Sequence, residues 1–245
     1  MGFVLLDRAG HPDVAALTEQ SERLGLGVAS AEPIDPTAES LRTYSFASGV
    51  QARVLLVSAP HPDARRLCTG ILSPGASDAA ARAPAHLIVT ASGLEGAVAD
   101  RDAIACRVLA AVSAAADASA TMLGHGAMFY RSDFFVEVAA SAAPGELPLE
   151  VCVDITIGPE PGERVSLLTH GLARYGREEL IVTAPVSAVE DAMDFTWGMA
   201  RWVISAPDNE LPTGGIVGRT AEERVTIERT TSPSGNGATV VRLDL

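Results

Sequence analysis

Residues 4–17 read VLLDRAGHPDVAAL and residues 54–67 read VLLVSAPHPDARRL, with eight of the fourteen positions identical. Each copy is an apolar run that meets a His-Pro-Asp corner. The run reads as a buried strand and the corner as the start of a helix. Pro12 and Pro62 suit the first helical position, where no backbone donor is lost and φ is already set. Asp13 and Asp63 then fall in the first turn, where a carboxylate meets the positive end of the helix dipole. His11 and His61 precede these prolines, and their matched placement reads as structural.

Working outward, the pattern predicts a strand at 2–7, a helix at 12–24 and a Pro- and Asp-rich loop at 31–40. Strands follow at 43–48 and 52–58 around a Ser-Gly-Val-Gln turn, then a helix at 62–71 and a strand at 86–92. The order β-α-β-β-α-β is that of a ferredoxin-like unit, and the repeat falls on its two equivalent strand–helix corners. Residues 73–84, SPGASDAAARAP, read as a surface loop. A helix is expected at 98–116, with Ile104, Val108, Ala111, Val112 and Ala115 on one face and Asp102 and Arg107 off it. A short strand or turn at 121–131 leads into a helix at 132–140.

The break AAPGELPL at 142–149 sets the expected boundary between a unit at 1–143 and a smaller α/β unit at 144–245. In the second unit, strands are expected at 150–157, 165–170, 179–183, 224–230 and 239–245, with a helix at 187–204. Ser187 and Glu190 have capping-box spacing. Val189, Met193, Trp197, Ala200 and Ile204 form the expected core stripe, with Trp202 at its margin as a possible interface anchor. The fold class is α+β.

Composition narrows the chemistry. The chain has 245 residues, 18 basic and 31 acidic, for a formal charge of −13. Every basic residue is arginine, so Schiff-base and Walker-type lysine chemistry is excluded. The charge argues against a general nucleic-acid binder, which needs a basic face to displace counterions. No apolar run has the length of a membrane span, and the first residues lack the basic region of a signal peptide. A cytosolic protein is expected. The 41 alanines, with arginine in place of lysine throughout, have the look of a GC-rich bacterial genome. Cys68, Cys106 and Cys152 are widely spaced with no CxxC, and read as small buried apolar residues in a reducing compartment. There is no GxSxG, HExxH or GxGxxG signature, so no catalytic residue, cofactor or metal site is assigned.

Two polar clusters remain as candidates for a ligand or an interface. The first is His125, in Gly-His-Gly, with Tyr130, Arg131 and Asp133 close behind. Flanking glycines let a ligand approach the backbone there. The second is His170, Arg174, Tyr175, Arg177 and Glu178 at a hairpin end. His86 reads as a strand-end residue.

The stretches THGLARYGREELIV (169–182), FTWGMARWVI (195–204) and TGGIVGRTAEERVTI (213–227) resemble an uncharacterised bacterial family, domain of unknown function 4261. The resemblance covers roughly residues 164–245. AHLIV (85–89) and GHGAMFY (124–130) resemble the segment that often precedes that domain. Gly171, Gly176, Glu179, Gly214 and Gly218 match its pattern. The resemblance implies no catalytic or binding residue, and glycines at such places serve turns. Some such proteins resemble immunity or accessory proteins of bacterial toxin systems.

Two functional readings follow. One is a non-enzymatic factor that binds a basic protein partner, with the acidic surface speeding encounter. The other is an enzyme or small-molecule binder with its site near the cleft between the two halves. Neither involves nucleic acid or a membrane, and the sequence sets no oligomeric state.

Overall fold

The computed structural model describes residues 1–32, 40–66, 68–69, 71–124, 128–235 and 237–245. Much of the 31–40 loop and His125 itself lie outside the described residues, as does the Cys68 side chain. The chain divides into two compact units, Met1–Cys152 and Val153–Leu245, each mixed α and β.

Unit 1 runs β1 (Gly2–Leu6), α1 (Val14–Arg23), β2 (Ala29–Ala31), β3 (Leu41–Phe46), β4 (Gln51–Val57), β5 (Cys68–Thr69), α2 (Ala76–Arg82) and β6 (Ala85–Ser92). It continues with α3 (Val98–Ala115), β7 (Ala118–Leu123), β8 (Met128–Arg131), α4 (Ser132–Ser141) and α5 (Leu149–Cys152). Its eight strands form one sheet in the order β2-β3-β4-β6-β1-β7-β8-β5. β1 is interior, antiparallel to β6 on one side and β7 on the other.

The VLL run of the first repeat copy is continuous because β1 is covered on both faces. Leu5 packs with Ala76, Ala80 and Ala83 of the α2 region and with Phe129, and Phe3 packs against the same cluster. Gly2, Val4 and Leu6 point the opposite way. A Cβ on Gly2 would collide with Leu109 of α3, so the glycine sets how closely helix and strand approach. Val4, Leu5 and Leu6 are fully buried; each contributes roughly 1.5–3 kcal/mol of burial. Thr121, on the same face as Val4, shares hydrogen bonds of 2.8 Å with Ser113 of α3 and 2.8 Å with Ser132 of α4. This buried hydroxyl chain satisfies its members internally, as buried polar groups must be.

The ferredoxin-like arrangement is corrected by the pairing. In a split β-α-β unit the strands that flank a helix run parallel. Here β1 and β3, the strands expected to pair across α1, run antiparallel with β6 and β4 between them, and the strand that directly follows α1 is the short edge strand β2. β4 pairs directly with β6, and β6 with β1, which leaves the two repeat strands parallel on either side of β6. Element order does not encode which edges join, so the sequence pattern could not separate these arrangements.

The two corners also diverge. At the first, Asp13 is the N-cap itself, accepting from the N–H groups of Ala15 and Ala16 at 3.0 Å each. Pro12 stands before it, and its carbonyl accepts a hydrogen bond of 3.1 Å from the buried Tyr44 hydroxyl. At the second, residues 62–66 form turns and not the expected helix. His61 Nδ1 accepts from the Asp63 N–H at 3.2 Å, and the Asp63 carboxylate pairs with Arg66. These contacts close the corner locally, without the sustained ladder that repays helix nucleation. The helix appears later, as α2, inside the segment expected to be a loop.

α3 is buried nearly all round, including Asp102, which was expected off the buried face. Its alanines let the helix pack closely against α1 and α4 as well as the sheet. The boundary falls after Cys152 because α5 joins the core of unit 1 through Leu149, Val151 and Cys152.

Unit 2 comprises β9 (Asp154–Glu160), β10 (Arg164–His170), β11 (Leu180–Pro185), α6 (Val189–Ser205), β12 (Ile216–Val217), β13 (Val225–Thr231) and β14 (Thr239–Asp244). The sheet order is β12-β13-β14-β11-β10-β9, with β11 and β14 parallel and the other pairs antiparallel. α6 packs on β10 and β11. Its buried stripe is Ala192, Phe195, Thr196, Met199, Ala200 and Val203, displaced from the expected one, of which only Ala200 is fully buried. The expected capping box is absent: the chain enters through a 3-10 turn at Val186–Ala188 and Ala188 is the N-cap.

His61 is buried against Phe3, Phe129 and His86, with ring centroids 4.7, 5.6 and 5.2 Å away. Burial, and secondarily His86, lower its pKa from the ordinary 6.5, against a smaller upward pull from Asp63. As pH falls below 6.5, the unfolded chain takes up a proton before the folded one does. Stability is whole above that value and is lost as pH falls through the folded value. The opening free energy of the β1 amides, read from hydrogen exchange corrected for its intrinsic base catalysis, should therefore fall from pH 7.5 to 5. His61→Phe should flatten that dependence; an unchanged slope in the variant would assign it elsewhere.

Candidate functional site

The first polar cluster is largely occupied by its own contacts. Tyr130 is buried and stacked on Phe134, with centroids 5.9 Å apart. Arg131 ends β8, and its backbone N–H donates to Ser73 Oγ at 2.7 Å. Its guanidinium forms a two-point pair with Asp133, through Nε at 3.0 Å and through Nη2. The pairing raises the Arg131 pKa and holds the Asp133 carboxyl below its ordinary range. Arg131 and Asp133 line a polar depression of about 350 Å³ with Asp7, Arg82 and Ser119. His125 lies outside the described residues.

The second cluster is built around a residue absent from the candidate set. The segment Gly171–Gly176 leaves β10 through a 3-10 turn at Leu172–Tyr175. Gly171 opens it at φ 125° and Gly176 closes it at φ 73° in the left-handed region, where a side chain is strained. Glu179 folds back over the turn. One carboxylate oxygen accepts from the N–H groups of Gly171 at 2.8 Å and Ala173 at 3.2 Å. The other accepts from the Leu172 N–H at 3.2 Å and the Thr169 hydroxyl at 2.8 Å. Donors at the start of a helical turn lack intrahelical partners, and a carboxylate supplies them all at once. His170 is held by Thr156 of β9, with Nε2 and Oγ1 2.9 Å apart. Arg174 is exposed on the turn and Tyr175 is half-buried.

Gly171, Gly176, Glu179 and Gly218 thus have mechanical roles. A Cβ on Gly218 would collide with the Glu223 backbone. The chain there is clamped by Arg219, which pairs with Asp191 of α6 at 2.6 Å and with Glu223, and stacks 5.4 Å from the Phe195 ring centre. These carboxylates raise the Arg219 pKa, Glu223 first, and are themselves lowered by it. Trp202 stands on the outer side of α6, 39% exposed and outside the core stripe.

A cavity of about 230 Å³ in unit 2 brings Arg177 and Glu178 of the second cluster together with Arg229 of β13. Leu180, Val203 and Leu211 supply part of its apolar wall. Arg229 is tied to Glu178, with Nη2 to Oε2 at 2.7 Å. Arg177 donates through Nη2 to the Ala206 carbonyl, while its Nε is buried with no hydrogen-bond partner. The sequence shows the Arg177–Glu178 pair, but Arg229 comes from a distant strand. His170 belongs to unit 2 and the first cluster to unit 1.

Among the described residues, no group of three His, Cys, Asp or Glu side chains is placed to hold a metal ion. None of the described helices is long and apolar enough to cross a membrane. Comparison with protein-family models, curated proteins and solved structures gives no match.

Replacing Glu179 by Gln keeps the shape but removes the charge from a carboxylate accepting four hydrogen bonds. The expected cost is about 1–3 kcal/mol, read from the urea midpoint, with Glu179→Ala costing more. A Glu179→Gln variant as stable as the parent would show that the carboxylate does not organise the turn.

Proposed function

We propose that this protein is a non-catalytic binding factor, of immunity or accessory type, that engages a basic protein partner. The observation that carries the reading is the charge balance, −13 over the chain. Several arginines are held in pairs with the chain's own carboxylates: Arg131 with Asp133, Arg164 with Asp244, Arg219 with Asp191 and Glu223, and Arg229 with Glu178. The 31 acidic residues exceed the 18 arginines by 13, and a surface of one sign steers a partner of the other. Trp202, exposed on α6, supplies an apolar anchor of the kind that concentrates binding energy. Kinship of residues 164–245 with domain of unknown function 4261 belongs to the same proposal and rests on the motifs quoted above.

Affinity capture from native lysate at low and moderate salt tests the reading. The expected result is one stoichiometric basic partner whose affinity falls as salt rises, and falls again, about tenfold or more, in Trp202→Ala. A partner retained equally at both salts would sink the electrostatic argument.

A second reading, a small-molecule binder, is favoured by one observation: Arg177, whose buried Nε has no hydrogen-bond partner, lines the same cavity as Arg229. A planar guanidinium donor of this kind suits a small carboxylate. Acetate or succinate should then raise the thermal midpoint of the parent and leave that of Arg177→Met unmoved. No shift in the parent would remove this reading.

A further inference from the structure

The sequence treats the cysteines as isolated apolar residues, yet the fold brings two of them together. Cys106 lies in the middle of α3 and Cys152 ends α5, and their sulfurs are 3.4 Å apart. Neither is in a disulfide, and they are fully and almost fully buried. A disulfide has an S–S length of about 2.0 Å, so closing the gap needs ~1.4 Å of movement. Side-chain rotation and a small shift of a one-turn helix can supply that. We propose that Cys106 and Cys152 form a reversible intramolecular disulfide when the protein meets a peroxide.

The chemistry is complete with the peroxide as the only oxidant. One thiolate attacks a peroxide oxygen; the O–O bond breaks, a sulfenic acid forms and water leaves. The second thiol attacks that sulfur; the S–S bond forms, the S–O bond breaks and a second water leaves. The two sulfurs together lose two electrons and the peroxide gains them. Cys152 is the entry point. It is the less enclosed of the two, and α5 is a single turn that follows the exposed residues 143–146. Short elements after exposed loops open at low cost, which admits a small oxidant to a site closed on average. Cys106, in the buried stretch of α3, then resolves the sulfenic acid from within.

The product ties the last turn of unit 1 to its most buried helix. It closes a loop between positions 46 apart in sequence, which restricts the unfolded chain. The thermal midpoint should rise by on the order of 5 °C.

The test uses the folded, full-length chain, reduced and then exposed to hydrogen peroxide, with remaining thiols alkylated and the digest read by mass spectrometry. The expected result is a Cys106–Cys152 cross-linked peptide lighter by two hydrogens, with the raised midpoint reversed by dithiothreitol. Cys106→Ser and Cys152→Ser should each abolish both signals. Cys68→Ser keeps the pair and should retain both, so the test survives a poorly folding variant at either buried position. Sulfinic or sulfonic acid at Cys106 or Cys152 without the cross-link would overturn the proposal. So would both thiols remaining reduced while Cys68 is oxidised, or a cross-link made to Cys68.

Discussion

Strand β1 is buried on both faces, and unit 1 is arranged around that constraint. A strand with no solvent face must be covered twice, so α2 and the Phe129 cluster take one side. α3 takes the other, with the Leu109 side chain seated where a Cβ on residue 2 would fall. The alanines of α3 follow from the same demand. A helix that touches a sheet and two further helices takes small side chains at many of its buried positions, which give close packing at little entropic cost. The polar residues inside this assembly answer to it as well. Ser113, Thr121 and Ser132 satisfy one another across three elements, and Tyr44 ties β3 to the corner before α1.

Unit 2 depends on a different kind of interaction. Glu179 gathers the donors of a tight turn between two antiparallel strands, and Arg219 gathers the carboxylates of Asp191 and Glu223 over Phe195. Each is an ionised side chain that organises a segment with little regular hydrogen bonding of its own. Motif residues that invite a functional reading thus have sufficient structural work. This shifts attention to groups such as Arg177, whose Nε the fold leaves unpartnered.

The strands and long helices were legible because their patterns are local. Alternation in the C-terminal segments placed β10, β11, β13 and β14 to within a residue or two, and the turn signal at 232–237 joined the last pair correctly. Patterning was less informative where two mechanisms compete over the same residues. The His-Pro-Asp corner caps a helix at Asp13 but closes into a turn at Asp63, where Arg66 and His61 take up the groups that a helix start would use. The candidate site was only half readable: Arg177 and Glu178 are neighbours in sequence, whereas Arg229 reaches them through strand pairing.

The sequence by itself determined the α+β class, the acidic balance, the absence of lysine chemistry and the position of β1, α1, α3, α6 and the last strands, because these depend on composition and on spacing along the chain. Tertiary structure decided which strand edges joined, replacing the ferredoxin-like order with β3-β4-β6-β1. It also decided which face of α6 was buried, that Glu179 caps a turn, and that Cys106 meets Cys152. Those outcomes turn on contacts between residues far apart in sequence, whose free energy exists only once the intervening chain has folded.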